Sequence, residues 1–138
     1  RRRYGRALTG PLRDRIDIAG RTLPVGSGLL SVGEVEDSSV VRERVTTARS
    51  TAAGRWAACE DANGAVSNAD VPGRVLRSVK ALDRRALRPL DRALAHGVLS
   101  PRGVDRCLRL AWTVADLEGA LVPTESHVAE AMVLRGED

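Results

Sequence analysis

The sequence contains no phenylalanine, one tyrosine and two tryptophans, so aromatic residues make up only 2% of its 138 positions. A core must then be assembled from alanine, valine and leucine around very few large anchors. Cysteine is scarce as well. Cys59 and Cys107 stand far apart, with no CxxC pair and no neighbouring histidine, which excludes a disulfide framework and a zinc finger. Two small buried thiols in a reducing compartment are the expectation. His96 and His127 are equally isolated, and no HExxH, GxSxG or GxxxxGK[ST] occurs. The chain therefore carries no complete active site of those kinds, and no metal site is expected in it. No stretch approaches the roughly 18 uncharged apolar residues of a membrane span. No apolar segment follows the opening Arg1-Arg2-Arg3 to make a signal peptide. A cytoplasmic chain without a membrane partner is expected. Met132 is the only methionine, so the chain reads as a piece of a longer protein.

Charge, by contrast, is plentiful. Charged residues are 29% and apolar residues 43% of the sequence, which suits a soluble globular core rather than a disordered chain. Basic residues outnumber acidic ones 22 to 18, and only Lys80 among them is a lysine. Such arginine-for-lysine bias accompanies GC-rich coding. The signs are interspersed along the chain, so the net charge of +4 reads as a solvated mixed surface before it reads as a nucleic-acid footprint.

Along the chain, Gly10-Pro11 is a breaker pair, and Pro11 suits the first turn of a short helix over Leu12 to Ile16. Ile16, Ile18, Leu23 and Val25 then alternate imperfectly with polar residues, as one short strand would. A lone strand needs a sheet, which places its partners upstream of residue 1. Residues 26–37 read as a linker. Ser38 or Ser39 can cap a helix reaching about Cys59, with Val41, Val45, Ala48, Ala52 and Trp56 on one face. Asp61 to Gly73 reads as a loop. Val75, Leu76 and Val79 suggest a brief helix. Asp83 can cap another, to about His96, with Leu87, Leu90 and Leu94 inward and Pro89 as a break or kink. Ser100-Pro101 is the clearest helix start. The stripe that follows is Val104, Cys107, Leu108, Ala111, Val114 and Ala115, with Arg102, Arg106 and Arg109 on another face. Gly119 ends it, and Thr124 caps a last helix with Val128, Ala131 and Met132 inward.

Two segments carry more than periodicity. The first is Thr9-Gly10-Pro11-Leu12-Arg13-Asp14-Arg15-Ile16-Asp17-Ile18. The second begins Leu99-Ser100-Pro101-Arg102-Gly103-Val104-Asp105-Arg106-Cys107-Leu108-Arg109 and continues Thr113-Val114-Ala115-Asp116-Leu117. They resemble the C-terminal portion of the magnesium-chelatase-like AAA+ ATPases, the YifB/ComM competence-protein group. That group carries an SGPLLDRID-like segment and then a lid helix of the form LSARxxDRxLRxARTIADL. Ser39 to Arg49, reading SVVRERVTTAR, is similar to the group's xEVRxRVxxAR helix. Asn68-Ala69 and His127-Val128-Ala129-Glu130-Ala131 fit as well.

The resemblance implies a mainly α chain: an AAA+ C-terminal helical lid bundle behind the last helix–strand fragment of a truncated α/β P-loop core. Residues 1–25 would be the core remnant, 26–37 the linker and 38–138 the lid. It also implies ATP and Mg²⁺ in the parent protein, self-association into a ring (a hexamer), and ATP hydrolysis that drives DNA branch migration or remodelling. The fragment alone would not hydrolyse ATP, because the phosphate cradle and Mg²⁺ ligands lie before it. Arg15 matches the arginine finger, a guanidinium supplied in trans to the charge that spreads over a transferring phosphoryl group. Arg102 matches the sensor 2 arginine, reaching the terminal phosphate of its own subunit's nucleotide from a helix N-terminus. Arg106, one turn on, is the alternative to Arg102, and Arg13, standing where the group has leucine, is a second charge beside Arg15. Trp112 replaces the group's arginine and reads as lid packing or a subunit contact. Two other readings stay open. One is a stand-alone helical DNA-binding module that lays Arg102, Arg106 and Arg109 in a major groove; the other is the lid of a metal-chelatase motor subunit.

Overall fold

The computed structural model describes residues 15–20, 36–79 and 82–136. Among the described residues five α-helices follow one another: α1 Ser38–Ala57, α2 Gly73–Ser78, α3 Arg84–Ala95, α4 Pro101–Leu117 and α5 Glu125–Leu134, with a short 3-10 turn at Glu60–Ala62. No strand occurs among the described residues. The chain is thus mainly helical, with the architecture of a helical lid. The helix expected over Leu12 to Ile16 lies mostly outside the described residues. Ile16 to Gly20, the described part of the expected strand, is an exposed irregular segment; Leu23 and Val25 lie outside.

Local chemistry sets most boundaries. Asp37, rather than Ser38 or Ser39, caps α1: its carboxylate accepts the Ser39 N–H at 2.7 Å. That bond to the charged form holds the Asp37 carboxyl below its ordinary range. Asp83 caps α3 in the same way through the Arg85 N–H at 2.8 Å. Ser100 caps α4 through the Gly103 N–H at 3.0 Å, with Pro101 at the first helical position. Gly97 and Gly119 close α3 and α4 at φ +69° and +73°, a left-handed backbone that a β-carbon disfavours. α3 runs through Pro89 without a break.

α4 is the centre of the bundle. Nine of its 17 residues are buried, and it packs against α1, α2, α3 and α5, while α5 also packs on α3. All six stripe residues from Val104 to Ala115 are buried. The aromatic shortage is met by concentration: Trp56 of α1 and Trp112 of α4 are both fully buried and meet edge to face, with ring centroids 5.3 Å apart. Trp112 is therefore core packing and not a subunit contact. Small residues do the rest. Ala52, Ala111, Ala115 and Ala131 are buried where the helices meet. On α3 the inward face is Ala86, Leu90 and Ala93, while Leu94 is 41% exposed. α1 is buried only from Ala48 onward, so Val41 and Val45 of its stripe lie at a solvent-facing end.

One polar network is buried where α1 and α4 cross. The Arg55 guanidinium spans both carboxylate oxygens of Asp116 and lies over the Trp112 ring at 4.5 Å. Asn68 donates to Asp116 at 2.8 Å and accepts the Trp56 indole N–H at 2.8 Å. The loop after α1 is thereby pinned to both helices through one asparagine. A second device holds α5. His127 Nδ1 accepts the Thr124 N–H at 3.0 Å, closing a capping box, and Nε2 lies 2.8 Å from Glu118. The acceptor role of Nδ1 assigns the proton to Nε2.

Candidate functional site

The candidate site is the start of α4 and what lies against its first turns. Ser100 bends the chain into the helix, and Pro101 fixes φ and needs no N–H partner there. Gly103 is buried, and a β-carbon on it would stand 3.0 Å from Leu99 Cδ2. The first turn therefore nests directly on Leu99, and Arg102, beside it, points outward and is exposed. Among the described residues Arg102 has no ion-pair partner. An unengaged guanidinium beside the positive end of a helix suits a phosphate. Among the described residues no group of three or more His, Cys, Asp or Glu could hold a metal. The exposed guanidinium at this helix N-terminus fits the anionic end of a phosphate-bearing ligand.

Arg106, one turn on, is differently placed. Its guanidinium pairs with Asp17 and donates to the Arg15 carbonyl at 3.2 Å. Arg109 donates to the Val71 carbonyl at 3.0 Å. The three arginines of one helix face are therefore not an equivalent comb: two are engaged by the chain itself and one is open to solvent. Asp105, between them, pairs with Arg77 of α2, and a β-carbon on Gly73 would overlap its carboxylate. That close approach lets α2 seat against α4.

Arg15 is exposed, and only its carbonyl is engaged among the described residues. Of the two neighbouring carboxylates that compete for its guanidinium, Asp17 is taken by Arg106, and Asp14 lies outside the described residues. Asp17, Arg106, Arg109 and Thr113 border a cleft of about 250 Å³ between this segment and α4. Arg13 lies outside the described residues. Sequence reasoning missed the Arg106–Asp17 pair, because 89 positions separate the partners and no local pattern announces such a contact.

The fold and the site together define a helical lid whose central helix presents an arginine at its N-terminus. Comparison with known proteins agrees. The pattern of the family described as magnesium chelatase, subunit ChlI C-terminal, matches residues 35–135. An uncharacterised protein of Mycobacterium tuberculosis is 42% identical over 98% of this chain and 26% of its own length. YifB of Escherichia coli is 30% identical over 99% of this chain and 26% of its own. Competence protein ComM of Haemophilus influenzae is 32% identical over 96% of this chain and 25% of its own. No solved structure matches. The chain belongs to the magnesium-chelatase-like family that includes YifB and ComM. It spans about a quarter of the length of the curated relatives it matches.

Proposed function

We propose that this chain is the lid, together with the end of the core before it, of a ring-forming AAA+ ATPase that works in the cytoplasm. In this reading residues 1–25 close the α/β core, 26–37 link, and 38–138 form the lid. Arg102 meets the terminal phosphate of the nucleotide in its own subunit. Arg15 reaches the phosphate bound by a neighbouring subunit, where it neutralises charge that grows as the phosphoryl group leaves. ATP with Mg²⁺ supplies the transferable phosphoryl group; this chain's part is to bind, orient and neutralise. The work of the assembled motor is DNA branch migration or remodelling. The matched family's description favours a second motor, a chelatase subunit, for which the same lid would serve.

The observation that carries the reading is the contrast along α4. Arg102 stands open at the helix N-terminus, while Arg106 and Arg109 are engaged within the chain. The same contrast counts against a major-groove comb of three arginines. The test is ATP hydrolysis by the complete polypeptide that contains this chain. Arg15→Ala is expected to lower kcat by roughly 10³-fold or more, the scale of other arginine fingers. Arg102→Ala should lower kcat and weaken nucleotide binding together. Undiminished turnover in both variants would refute the reading. Unwinding of branched DNA in the same preparation separates the DNA motor from the chelatase one.

A further inference from the structure

Residues 15–20 are tied to the bundle at three places. Arg106 holds the Arg15 carbonyl and the Asp17 carboxylate. The Arg135 guanidinium donates to the Ile16 carbonyl at 3.1 Å. The Ala19 N–H donates to the Leu134 carbonyl at 2.8 Å. Burial does not explain this attachment, because Ile16 and Ile18 are both exposed. Polar contacts fix the segment, and the two arginines that make them are themselves well covered: Arg135 is buried, and the Arg106 side chain is only 19% exposed. Arg106 lies four residues after Arg102, about 6 Å further along the same rigid helix. The helix that offers Arg102 to solvent on its first turn thus grips the main chain of Arg15 on its second.

We propose that Arg106 is a positioning residue for Arg15. It anchors the Arg15 main chain to α4 and occupies Asp17, which leaves the Arg15 guanidinium free to project. α4 then joins the two phosphate-seeking arginines into one unit, so that a tilt of α4 set at Arg102 is passed to Arg15. Arg135 is the second anchor of the same segment. The proposal rests on the finger reading of Arg15 given above, and the two fail separately.

Amide hydrogen exchange on the 138-residue chain tests the attachment directly. Arg106→Ala is expected to speed exchange at Ala19 by about tenfold or more, while the slowest α4 amides stay within about twofold of their original rates. Unchanged exchange at Ala19 would overturn the proposal. Should Arg106→Ala fail to fold, Asp17→Asn removes the same ion pair from an exposed position and carries the same expectation. In the complete polypeptide, Arg106→Ala should lower kcat about tenfold with KM within twofold, and Arg106→Lys should recover part of the loss. The decisive arm is the double variant. With Arg15→Ala already present, Arg106→Ala should lower kcat no further, because a positioning residue has nothing left to position. A full additional tenfold loss in that background would overturn the proposal. Full turnover by Arg15→Ala alone would instead refute the finger reading, and with it the role of Arg106 in catalysis, while the exchange result reports independently on the attachment.

Discussion

Replacing Asp116 with alanine is expected to cost about 3 kcal/mol of folding free energy. Removing one partner of a buried ion pair commonly costs about 3–5 kcal/mol, because the other charge is left without compensation. The lower end applies here. Arg55 keeps 17% side-chain exposure and its place over the Trp112 ring, and Asn68 keeps the Thr113 hydroxyl at 3.1 Å as an acceptor. For a domain of this size about 3 kcal/mol corresponds to a fall in Tm on the order of 15 °C. The informative comparison adds Arg55→Met. Removing both charges together removes the uncompensated ion, so the double variant should be more stable than the summed single losses predict by about 1.5 kcal/mol. Urea unfolding followed by helical circular dichroism reads all four corners of the cycle, with equal slopes as the check on two-state behaviour. Single losses that add to within about 0.5 kcal/mol would refute the view that Arg55 and Asp116 act as one unit joining α1 to α4.

Two further outcomes follow from the helix termini and interiors. Gly54 lies inside α1 with ordinary helical geometry, and a β-carbon there would meet nothing within 4 Å. Gly54→Ala should therefore stabilise the chain by about 0.5–1 kcal/mol, measured by the same urea titration; a loss of stability would show that α1 needs the glycine. Asp37 has its folded pKa held below the ordinary value by the Ser39 N–H. Its capping contribution is complete above the unfolded pKa and is lost as pH falls through the folded one. Protection of the first-turn amides of α1, taken relative to the intrinsic exchange rate at each pH, should accordingly fall at acid pH. Asp37→Asn, which keeps the acceptor without the titration, should flatten that dependence.

Much of the fold is local and was readable in advance. Asp83, Ser100-Pro101, Gly119 and Thr124 mark helix ends because caps and left-handed turns are satisfied within a few residues. The α4 stripe was legible because the helical period repeats over about three turns. α3 was less so. Ala86 and Ala93 are buried, while Leu87 is partly buried against the core and Leu94 is exposed; hydropathy alone ranks leucine first. Pro89, read as a break or a kink, does not break α3, although a proline removes one helix bond.

The site divides along the same line. Sequence by itself set the helix that begins at Ser100, placed Arg102 in its first turn, and carried the family likeness of both arginine segments. Which of three regularly spaced arginines remains open to solvent was decided only in three dimensions. Arg106 meets Asp17 across 89 residues, Arg109 meets Val71 across 38, and Arg55 meets Asp116 across 61. The reason is physical. A guanidinium is long and flexible, and its partner is chosen by whichever carboxylate or carbonyl the folded backbone brings within reach, a distance that helical periodicity does not encode.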